Sequence, residues 1–291
     1  MENIPMDSSL IQLTDKIKDT YSLRKRYKKK FGTLPDLRTP VTYNEKIQWI
    51  KLNCRIPLYT LLADKYAVRA YVAERVGEEH LVELYDVFDH WDIDFDALPE
   101  SFVLRATHGC KWNIICKDKN TLDVDEAKRK MRKWFNSNFY AQHHEWQYKH
   151  IPPRFVCEKY LEDESGHLTD YKFICVGGEP LFLSAQRDRD NDKGYRYFNS
   201  EWQLLPFDQG IAPKWDSLPR PDGLEKMFDI ARALSSGLPM VRVDLYNVYG
   251  KIIFGEMTLT PGNGFRGFRP SEYDKTLGDM INLEGFKNLM A

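Results

Sequence analysis

The chain has 291 residues and a formal net charge of -1, from 42 basic and 43 acidic side chains, so no global field draws it to nucleic acid. Hydrophobic residues at 42% and aromatics at 13% can fill one large core or several small ones. The five cysteines, Cys54, Cys110, Cys116, Cys157 and Cys175, are an odd set with no Cys-x-x-Cys pair and no matching histidine pair, which argues against a disulfide framework or a zinc site.

The start shows no basic segment followed by an apolar core, and no run approaches the roughly 20 apolar residues of a membrane span. A soluble, cytoplasmic protein with reduced thiols is expected. Leu10, Leu13, Ile17 and Tyr21 repeat at helical spacing, predicting a first helix whose apolar stripe packs inward. Six basic residues between Arg24 and Lys30 follow; they suit a solvated helix face, or a peripheral contact with a membrane surface or an anionic lipid-linked glycan. Thr42 and Glu45 form a capping box ahead of a second helix. A third runs from near Asp64 to Gly77.

From Ser101 the periodicity shortens. "SFVLRATHGCKWNIICKD" reads as strand, glycine-bearing loop and strand. An amphipathic helix over "DVDEAKRKMRKWFNSNFY", a strand at "RFVCEKYL" and a hairpin around Gly177 and Gly178 come next. Pro221 to Leu234 reads as a helix with a capping box from Asp222 and Glu225, a stripe at Leu224, Met227, Phe228, Ala231 and Leu234, and a stop at Gly237 and Pro239. Helices first and antiparallel strand pairs later indicate an α+β architecture. Three regions are expected: helical over 1–90, a small subdomain with the glycine loop over 91–155, and a large subdomain over 156–291.

The last hairpin carries the chemistry. Met240 to Tyr246 and Ile252 to Thr258 read as strands joined by a five-residue connection. Val241, Val243, Leu245, Ile253 and Met257 share an apolar face, while Arg242, Asp244, Glu256 and Thr258 share the other. Asp244 and Glu256 are then cross-strand neighbours, roughly 5 to 8 Å apart at their β-carbons. Such a pair either holds a hard cation such as magnesium, completed by water and phosphate, or, for Asp244, makes an ion pair with Arg242 or a lysine.

The loop Thr107–Asn113, flanked by Arg105 and Lys117, could lay amides and cations over a triphosphate. In order, "TYNEKIQWIKL", "DKYAVR", "HG…WNIICKDK", "DYKF", "LPMVRVDLYNV" and "FGEMTLTPGNGF" resemble the TupA-like branch of the ATP-grasp superfamily, which is associated with bacterial teichuronopeptide and capsular polysaccharide synthesis. The resemblance spans roughly Thr39 to Leu283.

It implies an ATP-grasp fold, with ATP held between two α+β subdomains, and a carboxylate activated as an acylphosphate for attack by an amine. It implies that Asp244 and Glu256, with Thr258 where D-alanine:D-alanine ligase has asparagine, hold Mg2+. Arg242 would steady the γ-phosphate, and the Gly262 amide would complete an oxyanion site. Lys172 and Arg187 would be the basic groups meeting phosphate or acceptor. His108, Gly109, Lys111 and Asn113, with Arg105 and Lys117, would contact the phosphates. Glu158, Lys159, Tyr160 and Leu161 would form the adenine hinge, with Glu164 near the ribose. Arg105 replaces the family's lysine, and the loop is less roomy than the family's, so Lys111 could take over part of the lysine's function.

The expected activity is ATP- and Mg2+-dependent ligation of an amino acid or other amine to a uronic-acid or peptide carboxylate, without nucleic acid. The rival readings are a kinase acting on a glycan hydroxyl with His108 or Asp170 as base, a glycosyltransferase, and a non-catalytic nucleotide-binding scaffold. Asp188 to Asp192 only imitates a glycosyltransferase motif.

Overall fold

The structure, a computed structural model, describes residues 8–163, 166, 168–186, 194–210 and 218–290, with no side chains described for 8–12. It is α+β. In chain order the helices and strands are α1 (Ser8–Phe31), α2 (Tyr43–Asn53), α3 (Pro57–Ala63), α4 (Val68–Val76), β1 (Leu84–Phe88), β2 (Phe102–Ala106), β3 (Asn113–Cys116), α5 (Val124–Phe135), α6 (Phe139–His143) and β4 (Phe155–Lys159). The second half adds β5 (Asp170–Val176), β6 (Glu179–Gln186), β7 (Arg196–Phe198), α7 (Leu224–Ser235), β8 (Met240–Val248), β9 (Lys251–Thr258), α8 (Tyr273–Met280) and α9 (Leu283–Met290).

Two antiparallel sheets organise these elements. The smaller has the order β1-β4-β2-β3, the larger β7-β6-β5-β8-β9. Phe102, Leu104, Met131 and Phe155 are fully buried in the core between the small sheet and α5. A separate, larger core joins Phe173, Leu183, Val243 and Phe228 to Ile47, Leu62 and Val72. Helices α2 to α4 therefore share the large sheet's core. The sheets also divide the chain differently from the expected boundaries at 90 and 155: β1 and β4 both belong to the small sheet and pair with each other.

Several expectations need correction. Leu13, Ile17 and Tyr21 are 57%, 63% and 71% exposed, so the apolar stripe of α1 faces solvent; the side chain of Leu10 lies outside the described residues. The buried side of α1 instead carries Asp19, Leu23 and Tyr27. Asp19 accepts hydrogen bonds from Arg55 Nη2 at 2.6 Å and Tyr140 Oη at 3.0 Å and meets His144 Nδ1 at 2.7 Å, which shows why an acid can point inward. The capping box at Asp222 is absent: Gly223 caps α7 with φ 72° and no side-chain bond, while the Asp222 carbonyl accepts from Asn247 Nδ2. The box at Thr42 and Glu45 forms as expected.

Candidate functional site

The turn between β8 and β9 has two residues, Tyr249 and Gly250, since Val248 pairs with Lys251. This is shorter than the expected connection, and continued regularly the pairing would set Asp244 opposite Gly255. A register shift beyond Asp244 restores the parity, so Asp244 pairs with Glu256 and Leu245 with Phe254. Gly255 is the extra residue of this bulge. A β-carbon there would lie 3.0 Å from the Tyr246 ring and 3.2 Å from the Asp244 carbonyl oxygen.

Cross-strand register then aligns a polar row over the large sheet. Tyr197 pairs with Ser184, Ser184 with Lys172, Lys172 with Asp244, and Asp244 with Glu256. Arg242 occupies the adjacent row beside Thr258. The opposite face is apolar and packs on α7, with Phe173 against Phe228 at 5.0 Å.

Asp244 is 1% exposed and doubly clamped. Arg242 Nε and Nη2 donate to its two oxygens at 2.6 Å each. Lys172 Nζ reaches Oδ2 at 2.9 Å and Asp170 at 3.3 Å. The ion-pair alternative is thus present, and Arg242 serves both acids: its Nη2 also donates to Glu256 Oε1 at 3.0 Å. The Glu256 side chain is 32% exposed. Burial alone would raise its pKa, but Arg242 first, then Lys65, Lys172 and Arg105, outweigh burial and hold it down to about 2.

Arg105 on β2 joins the two sheets. It donates to Glu158 at 3.2 Å and to the Gly255 carbonyl at 3.3 Å, and Arg69 also meets Glu158 at 3.2 Å. Lys65 donates to the Gly109 carbonyl and lines a cavity with Glu256 and Gly255. Among the described residues, five cations (Lys65, Arg69, Arg105, Lys172, Arg242) thus neighbour four carboxylates (Glu158, Asp170, Asp244, Glu256). The surplus is positive, as a phosphate site requires. Lys65 and Arg69 were missed by the sequence reading, although both lie in "DKYAVR".

The remaining expected residues divide. Lys172, Arg242 and Gly262 line one cavity of about 570 Å³ including open solvent, together with Tyr195 and Arg266. His108 is buried, its Nε2 2.9 Å from the Trp134 carbonyl and its ring edge-on to Trp112; burial first, and then the charge of Lys65, lower its pKa. A β-carbon at Gly109 would overlap the Trp112 ring. Lys111, Asn113 and Lys117 are exposed, Lys117 standing 5.7 Å from the Tyr160 ring. Lys159 pairs with Glu83 at 3.2 Å, and Tyr160 and Leu161 are half-buried in the connection leading away from β4. Arg187, Glu164 and Asp188 to Asp192 lie outside the described residues.

The loop bearing Gly262 is held from behind. Gly262, Asn263 and Gly264 have φ of 61°, 56° and 65°, a left-handed run that favours glycine and asparagine. Gln48 Nε2 donates to the carbonyls of Asn263 and Gly264 at 3.0 and 2.6 Å, and Lys51 donates to Asn263 Oδ1. Burial pulls the Lys51 ammonium down to about 8, against the opposing pull of Glu145.

The folded protein therefore releases the Lys51 proton before the unfolded chain does at the usual 10.5. Below the folded value both states are charged and the burial cost is complete. Above it, stability should rise with pH toward the unfolded value by about 1 kcal/mol per unit. Urea unfolding of the wild type and of Lys51→Met across this alkaline window should show the rise only in the former; parallel profiles would contradict it.

Glu256, one-third exposed and with the Thr258 hydroxyl 3.3 Å from its Oε1, is the accessible acid for a divalent ion, whereas both oxygens of Asp244 are bonded to Arg242 and Lys172 and would have to exchange those donors to ligate it. Among the described residues no group of three or more His, Cys, Asp or Glu side chains could hold a metal.

A family model for TupA-like ATP-grasp proteins matches residues 45–282, and the chain belongs to that family. No curated protein matches it. Among solved structures it is similar to D-alanine–D-alanine ligase from Bacillus anthracis, at 16% identity and TM-score 0.45, over 79% of this chain and 68% of that one. The ATP-grasp ligase PsnB complexed with minimal precursor, Mg and ADP has 10% identity and TM-score 0.42, over 84% and 66%. N5-carboxyaminoimidazole synthetase from Staphylococcus aureus complexed with ADP has 12% identity and TM-score 0.39, over 70% and 46%. No helix among the described residues is long and apolar enough to cross a membrane.

Proposed function

We propose that this TupA-like ATP-grasp protein is an ATP- and magnesium-dependent carboxylate-amine ligase. Its carboxylate substrate would be a uronic acid or peptide of a surface polysaccharide, and its second substrate an amino acid or other amine. The observation that carries the reading is the row Lys172, Asp244 and Glu256 with Arg242 beside it, part of which opens onto the cavity formed with Gly262 and Arg266.

A carboxylate oxygen attacks the γ-phosphorus, the bond to the leaving ADP oxygen breaks, and an acylphosphate forms. The amine then attacks the carbonyl carbon and expels phosphate with one former carboxylate oxygen, the departing phosphate taking up the proton that the amine loses. Arg242 and Lys172 supply fixed cationic donors to the transferring phosphoryl group in a site already stripped of much of its water. Asp244 keeps both donors aimed, because it bonds to each. Gly262 is assigned the amide that meets the developing oxyanion, and Arg266 the anionic part of the acceptor. Magnesium, held through Glu256, would neutralise charge on the phosphate oxygens.

A hydroxyl kinase would need a general base. His108 is sequestered behind Trp112, and Asp170 is fully buried in an ion pair with Lys172. A carboxylate nucleophile needs no such base.

The test supplies ATP, magnesium, pooled amines and a uronic acid carrying heavy oxygen in its carboxylate. Amide formation should release ADP and phosphate bearing one heavy oxygen. A phosphorylated sugar would establish the kinase instead, and unlabelled phosphate beside a confirmed amide would rule out the acylphosphate.

A further inference from the structure

We propose that the outward face of α1 is a docking surface for an anionic lipid bilayer. Leu13, Ile17 and Tyr21 stand on successive turns, each more than half exposed, and the i, i+4 spacing aligns them on one face. Arg24, Lys25 and Lys28 continue that face toward the C-terminal end, and Lys18, Lys29 and Lys30 are also exposed.

The acids of the helix do not neutralise this surface. Asp19 is buried against Arg55, and Asp15 is paired with Lys149. The helix thus presents to solvent apolar side chains and cations that pair with no carboxylate among the described residues, and turns its own carboxylates toward the protein, the reverse of what burial alone selects.

One kind of surface satisfies both halves together. Beneath its anionic headgroups a bilayer offers a hydrocarbon boundary about 5 to 10 Å deep, which receives apolar side chains. The headgroups attract Lys and Arg across a Debye length. A nucleic acid would engage the cations but leave Leu13 and Ile17 wet.

The reverse side of α1 shows what docking would accomplish. Arg26 lies 4.5 Å from the Phe265 ring and Tyr27 6.4 Å from it, directly after the loop Pro261–Gly264 that lines the candidate acceptor cavity. A membrane on one side of α1 would keep that loop one helix diameter from the surface. The docking stands on α1 alone and does not depend on the reaction assigned above.

The test is flotation of the full chain with vesicles of phosphatidylcholine alone and of phosphatidylcholine mixed with phosphatidylglycerol. Binding is expected only to the mixed vesicles and should be lost at high salt. The triple variant Arg24→Glu, Lys25→Glu, Lys28→Glu should weaken partitioning at least about a hundredfold, and Ile17→Ser with Tyr21→Ser at least about tenfold. Melting temperatures should not change, since these side chains are exposed. The proposal is overturned by failure to bind mixed vesicles, by equal binding to neutral ones, or by binding that survives both sets of substitutions. Self-association or nucleic-acid retention that the same variants abolish, without vesicle binding, would assign the face to those partners instead.

Discussion

Glu256→Gln is expected to lower ATP-dependent turnover about a thousandfold, because in the proposed ligase this charge would organise metal and phosphate, and its loss would forfeit several kcal/mol of transition-state stabilisation. Its stability should fall too, though by less than that of Asp244→Asn, because the cations that hold the Glu256 carboxyl down to about 2 favour its ionised form in the folded state. The Glu256 side chain is one-third exposed and shares Arg242 with Asp244, so the amide leaves no buried cation without a partner. Asp244→Asn should behave differently. There is no repulsion between bare carboxylates to relieve, because Arg242 bonds to both. Instead the substitution removes a nearly inaccessible charge that pairs with the largely buried Arg242 and Lys172, which should cost about 3 kcal/mol of stability in addition to turnover. Initial rates of ADP release and urea unfolding on the two variants separate these effects. Near-normal turnover in Glu256→Gln would remove the acid pair from the chemistry.

Much of the fold could be read from the sequence because it is local. Period-two alternation locates β8 and β9, Gly177 and Gly178 locate the hairpin of β5 and β6, and the Thr42 box locates the start of α2. The charged row at Arg242, Asp244 and Glu256 was legible because charges stand out in apolar strands. Even so, the pairing of the two acids depends on the bulge at Gly255 and not on turn length, and a lone glycine within a strand pattern is the signal that points to it. Lys65 and Arg69 join the cluster only because α3 and α4 pack against the large sheet's core, a long-range fact that no local period encodes. Period also misled at Leu13, Ile17 and Tyr21. Helical spacing shows that side chains share a face, and only the partners of Asp19 decide which face turns inward.

Asp19→Ala is the other substitution with a large expected effect, and it acts on folding. Asp19 is 2% exposed and accepts from Arg55 Nη2, while Arg55 Nε and Nη1 are buried with no partner among the described residues. Deleting the carboxylate leaves a guanidinium with no acceptor in a largely dry position and also frees Tyr140 Oη and the His144 ring. The expected loss is about 3 to 5 kcal/mol. Asp19→Leu combined with Arg55→Met should cost less than the sum of the single changes, because replacing both members of a buried pair removes the desolvation penalty with the attraction. Urea unfolding of the single and double variants measures the coupling, and additivity would show that Arg55 finds another partner. The same variant connects folding to the site. Asp19 anchors the helix whose Arg26 and Tyr27 rest against Phe265, so a loosened α1 withdraws one support from the strained Gly262–Gly264 run while leaving Arg242 and its acids in place. Acceptor KM should therefore rise more than kcat falls, a division that loss of the phosphate cluster would not produce.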